Sequence, residues 1–233
     1  MLPLRCLLLS ALLVSVSVAQ TSKGRYAVVP HELTNGRIEV RLINTGSAGI
    51  DVFHAVYKCP TFEVAYDWDR LLNNEMARPI VPGSTYIPQM VKLVKECNLR
   101  ESAVLYDDGS AGGDASAVSA IYAQRAGALE ELAEVHDTIM KAAAGGLDEQ
   151  ALTKYLAGRE AKIDDLNLTP ASHVGHLAVL QTIERQFSLE PSHEHSGPAP
   201  ASEAKPDIVT RSQAAVKAVD AWRVELDAAV KPR

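Results

Sequence analysis

The spacing of apolar residues changes once along this chain, from a period of two to a period near 3.6, and the change falls close to residue 114. A period of two places side chains alternately on the two faces of a strand, whereas 3.6 gathers them on one stripe of a helix. A chain with one change of this kind is expected to be α+β, with its strands first and its helices after.

Before the change the segments are short and broken by turns. Ile38, Val40 and Leu42 alternate with Glu39, Arg41 and Ile43, and Asn44-Thr45-Gly46 closes the run. Val52, His54, Val56 and Lys58 face one way, with Phe53, Ala55, Tyr57 and Cys59 facing the other. Phe62, Val64, Tyr66 and Trp68 alternate again. Pro82-Gly83 introduces a segment through Tyr86, Ile87 and Met90, and Ala103 to Tyr106 is a strand closed by the turn Asp107-Asp108-Gly109. About six or seven strands at this spacing predict an antiparallel, immunoglobulin-like β-sandwich over residues 20–112.

Helices are expected over 113–190. Asp114 or Ser116 can cap the first, whose stripe runs Val118, Ile121, Tyr122, Leu129, Leu132, Val135 and Ile139 to a stop at Gly145-Gly146. The second carries Leu152, Tyr155, Leu156, Ile163 and Leu166. The third begins at Thr169-Pro170 and carries Leu177, Leu180, Ile183 and Phe187. Residues 191–206, rich in proline, serine and alanine with one glycine, predict a flexible linker, and 207–233 a last helix with Ile208, Val216, Val219, Trp222 and Leu226 on one stripe. The helices should associate as a hairpin or small bundle.

Residues 1–19 have the layout of a secretory signal peptide: Arg5, an apolar stretch from Leu7 to about Val18, and small residues Ser17 and Ala19 ahead of the expected cleavage. The apolar run is too short to span a bilayer, and Cys6 precedes it, where a lipid-bearing cysteine would follow. Export to the periplasm or the medium is the expectation, with no transmembrane segment in the mature chain. Removing Arg5 leaves 22 basic against 29 acidic residues, a mature charge of 22 − 29 = −7. That sign argues against nucleic acid as a partner. With Cys6 removed, Cys59 and Cys97 remain and are expected to form a structural disulfide, because Cys-x-x-Cys redox spacing is absent. The bridge would close a loop of about 38 residues, worth about 4 kcal/mol in the chain-entropy account.

The strand end Leu42-Ile43-Asn44-Thr45-Gly46, Pro82-Gly83, and the Val104-to-Ser110 hairpin running into a helix with Arg125 resemble a group of uncharacterised exported bacterial proteins, mainly acidobacterial. The resemblance covers roughly residues 37–144 and implies an exported β-then-α protein without assigning an activity.

Motifs for chemistry are absent: no Gly-x-Ser-x-Gly, no phosphate-binding loop, no His-Glu-x-x-His. Asp107, Asp108 and Asp114 do not have EF-hand spacing and are accounted for by a turn and a helix cap. Histidines are the remaining candidates. His173 and His176, three apart on the third helix, and His193 and His195 in the linker are the candidate transition-metal ligands. His173 and His176 share their stripe with Glu184, while Arg125 and His136 lie on the stripe of the first helix and Arg159 on that of the second. Internal ion pairing is favoured over a metal for these groups, with Arg159 and Glu184 expected at matching heights as a structural pair. No cofactor is expected.

Three functions fit these features. The leading one is an exported, non-catalytic binding or interaction protein whose partner is an unknown protein or envelope component. The others are a histidine-dependent metal-binding protein and a hydrolase whose site is assembled from residues distant in sequence.

Overall fold

The computed structural model describes residues 25–33, 37–73, 78–88, 93–188 and 207–230. The expected leader at 1–19 and the expected linker at 191–206, with His193 and His195, lie outside the described residues.

Strands β1 (Tyr26–Glu32), β2 (Ile38–Asn44), β3 (Ile50–Lys58) and β4 (Glu63–Asp69) come first, followed by one helical turn, α1 (Arg70–Asn73). Next are β5 (Thr85–Tyr86), β6 (Asn98–Tyr106) and β7 (Ala111–Gly113). They form two antiparallel sheets, ordered β1-β2-β5 and β4-β3-β6-β7. The segment expected to run through Tyr86, Ile87 and Met90 pairs only at Thr85 and Tyr86, opposite Ile43 and Leu42; Met90 is outside the described residues.

The two sheets share one apolar cluster. Tyr26, Val28, Val40 and Leu42 of the first meet Phe53, Ala55, Tyr57, Tyr66, Trp68 and Val104 of the second. The other face of the second sheet is covered too: Val52, Ala103 and Leu105 pack beneath Ala117 and Ile121 of the first long helix. Strand β3, at the centre, is therefore buried on both faces along most of its length, as a strand lying between two apolar layers must be. Cys59 and Cys97 form a disulfide with Cα atoms 4.1 Å apart. They stand just beyond the last paired residues of β3 and β6, Lys58 and Asn98, so the bridge staples two neighbouring strands of one sheet.

Among the described residues four longer helices follow: α2 (Ala115–Ala143), α3 (Glu149–Asp164), α4 (Pro170–Ser188) and α5 (Ile208–Ala229). They pack as a bundle around Ala128, Leu132, Val135 and Ile139 of α2, Leu152, Leu156 and Ile163 of α3, Val179, Leu180 and Ile183 of α4, and Ala215, Val219 and Leu226 of α5. Local chemistry fixes the helix ends. Gly145, at φ +76°, takes the left-handed conformation just past α2. The Asp148, Thr169 and Asp207 side chains accept from the backbone N–H of Ala151, Ser172 and Thr210, starting α3, α4 and α5. Asp114 holds the N-cap position of α2, but its carboxylate instead accepts from Ser102 N–H in β6 at 2.8 Å, tying the helix start to the sheet. Helices α2 and α4 approach with their backbones nearly touching: a Cβ at Gly175 would lie 1.9 Å from the Gln124 carbonyl oxygen. Among the described residues no helix is long and apolar enough to cross a membrane.

Candidate functional site

Where the second sheet meets the helices, a cleft of about 280 Å³ opens between the start of β3, the end of β6, the first turns of α2 and the end of α5. Its walls follow from the register. Asp51 lies on β3 just before the β4-paired stretch begins, and Asp69 ends β4, so two carboxylates arrive at the edge nearest the bundle. Both are nearly buried, and burying a carboxylate is costly unless cations or N–H groups meet it.

Each is met. Arg125 of α2 donates from Nε to Asp69 Oδ2 at 2.8 Å and from Nη2 to Oδ1 at 3.0 Å; Leu71 N–H donates to the same Oδ1 at 2.8 Å and so opens α1. Arg125 and Asp69 are each 3% exposed, which makes this a buried, two-pronged ion pair of the strong kind. Arg70, the first residue of α1, donates from Nε to Asp51 Oδ1 at 2.9 Å and from Nη1 to Glu225 Oε2 of α5 at 3.3 Å. The hydrogen bonding to the Asp51 carboxylate is the main reason the Arg70 guanidinium holds its proton more tightly than usual. On the far side of the cleft the β6–β7 turn brings in Asp107, whose Oδ1 accepts from Gly49 N–H at 3.0 Å. Burial pushes the Tyr106 phenol up to about 12, partly opposed by Arg25, whose guanidinium carbon stands 5.0 Å from the ring centroid. Tyr122 and Leu105 supply apolar wall.

A second polar centre lies inside the bundle. Glu131 of α2 is wholly buried and is held by Arg159 of α3, from Nε at 3.0 Å and Nη2 at 2.6 Å, and by His176 Nδ1 of α4 at 3.0 Å. This corrects the expected Arg159–Glu184 pair. Glu184 is exposed, and burial of part of its surface together with repulsion from Glu160 raises its pKa, the opposite of what a guanidinium partner would do. Helix α3 turns Arg159 toward α2, where Glu131 falls between Ala128 and Leu132 on the apolar stripe.

His173 and His176 turn to different partners, since His173 Nε2 lies 3.0 Å from Asp164 Oδ1. Nε2 of His176 is buried and makes no hydrogen bond, although a Glu130 oxygen stands 3.5 Å away. Among the described residues, no group of three or more His, Cys, Asp and Glu side chains is disposed to hold a metal ion. On the sheet face away from β1, His54 of β3 lies between Asp67 of β4, 2.5 Å from Nδ1, and Glu101 of β6, 3.8 Å from Nε2.

Sequence reasoning missed the Asp51, Asp69 and Glu131 carboxylates. Glu131 carried a legible signal, a charge at the centre of the α2 apolar stripe between Ala128 and Leu132. Asp69 carried none, because it reads as the solvated end of a strand. The chain matches no protein-family model, no curated protein and no solved structure.

Proposed function

We propose that this chain is an exported, non-catalytic binding protein that engages its ligand or partner at the cleft between the sheet and the helices. One observation carries the reading: the buried acids and bases are each committed to a partner within the fold. Asp69 is held by Arg125, Asp51 by Arg70, and Glu131 by Arg159 and His176. A general acid or base must reach the proton of a reacting group, and these groups are spent on joining elements. The cleft then offers shape, charge and an apolar wall, which is what binding uses.

The strand part is read as an immunoglobulin-like sandwich. Lettered in chain order, β1, β2 and β5 hold the positions of A, B and E, and β3, β6 and β7 those of C, F and G. The departure from the constant-type arrangement is the fourth strand, which pairs with the third here rather than with the fifth. Immunoglobulin-like sandwiches recur as binding scaffolds, an argument by analogy of fold. The disulfide suits the oxidising conditions of a periplasm or the medium.

Photo-crosslinking tests the proposal. A benzophenone side chain replacing Tyr122, in the cleft wall, is expected to give a discrete adduct in the envelope or secreted fraction of the native host, and the same group at exposed Gln150 none. Adducts at neither position, or a turnover activity of the purified protein abolished by Asp107→Asn, would overturn it.

A further inference from the structure

Resting on the binding reading above, we propose that the cleft takes a small zwitterion, with one carboxylate and one ammonium group on an apolar body, as in a free amino acid. The lining carries both complementary charges and, beside them, apolar side chains.

For the carboxylate there is Arg125. It lines the cleft yet is almost entirely buried. Its Nε and Nη2 are taken by Asp69, and among the described residues nothing accepts from Nη1, which is also not one of the buried orphan atoms. The guanidinium is thus fixed by Asp69 with one edge left for an acceptor in the cleft. A guanidinium held this way has little orientational freedom left to lose when a carboxylate arrives. For the ammonium there are two carboxylates with an oxygen to spare. Asp107 uses Oδ1 on Gly49 N–H, and Glu225 uses Oε2 on Arg70. Among the described residues no donor reaches the other oxygen of either. Because Arg70 is already matched by Asp51, these two acids leave the cleft lining with excess negative charge, which favours a cation. Leu71, Leu105 and the Tyr122 ring provide the surface for the ligand body.

The test uses three probes of one shape on the full mature protein: L-leucine, isopentylamine, which lacks the carboxylate, and 4-methylpentanoate, which lacks the ammonium. Calorimetry is expected to show L-leucine binding at least about tenfold more tightly than either, with leucine recovered unchanged. Glu225→Gln, an exposed change that leaves the fold intact, should bring L-leucine down toward 4-methylpentanoate. Arg125→Gln leaves Asp69 without its cation, so it is made together with Asp69→Asn, and this pair should bring L-leucine down toward isopentylamine. Equal binding of the amine and L-leucine removes Arg125 from the site, and equal binding of the acid removes Asp107 and Glu225. Binding of none of the three overturns the inference, and if the Tyr122 crosslink still forms, the broader binding reading stands. Leucine bound but chemically altered would instead overturn the non-catalytic reading and leave the site.

Discussion

Glu131 and Arg159 meet through a two-pronged ion pair inside the bundle, with Nε 3.0 Å from Oε1 and Nη2 2.6 Å from Oε2, and the glutamate has no exposed surface. Removing one partner of such a pair strands a charge where water cannot reach it. Arg159→Ala is therefore expected to destabilise the protein by about 3–5 kcal/mol in urea unfolding, whereas Glu184→Ala, on the exposed side of α4, should stay within about 0.5 kcal/mol. In a double-mutant cycle, Glu131→Ala combined with Arg159→Ala should cost less than the two singles added, because no orphan charge remains. Strict additivity would show that the contact carries no coupling.

His54 gives the sheet a dependence on pH. Burial lowers its affinity for a proton, but the hydrogen bond and charge of Asp67, followed by Glu101, outweigh burial and leave its pKa above the ordinary 6.5. A raised pKa in the folded state means that the protonated ring stabilises the fold. The contribution is complete below about pH 6.5 and is lost as pH rises through the folded value. His54→Gln should accordingly lower the urea midpoint at acidic pH and approach the parent protein as pH rises. A gap that does not change with pH would break the link to titration.

Two helical glycines should respond in opposite directions. Gly175→Ala drives a methyl group into the Gln124 carbonyl, so α2 and α4 must separate, at a cost of about 1–3 kcal/mol or more. Gly158 in α3 has nothing within 4 Å of an added Cβ, and alanine there should stabilise by about 0.5–1 kcal/mol through the helix backbone alone. Thermal melts of the two variants give the comparison directly.

Reducing the Cys59–Cys97 bridge, or replacing both residues with serine, should cost about 2–5 kcal/mol without moving the helical signal in circular dichroism, since the bridge lies between β3 and β6. Labelling the unreduced, denatured protein should find no free thiol at either position.

Much of this architecture was legible in the residues themselves. Alternation in Ile50–Lys58 assigned Phe53, Ala55 and Tyr57 to one face and Val52, His54 and Val56 to the other, and the structure places the first set against the partner sheet. The start of α4 at Thr169-Pro170 followed from capping chemistry, which is local. Partners were the illegible part. Arg159 was recognisable as a charge needing a carboxylate, but choosing between Glu131 and Glu184 depends on how α3 is rotated about its axis, and no short-range signal fixes that rotation. The cleft was invisible for the same reason: Asp51, Asp107, Arg125 and Glu225 come from four elements and share no spacing.

Because one face of the second sheet belongs to α2, the strands cannot complete their burial by themselves. A chain made from its N-terminus presents Val52, Ala103 and Leu105 bare until Ala117 and Ile121 have been delivered. During synthesis that interval is a window of stickiness, in which an uncovered sheet face is open to self-association or to a holding chaperone. Severing the polypeptide between Gly113 and Ala115 would make that window permanent, so the first half expressed alone should collect as aggregate and be recovered by supplying the second half in the same compartment.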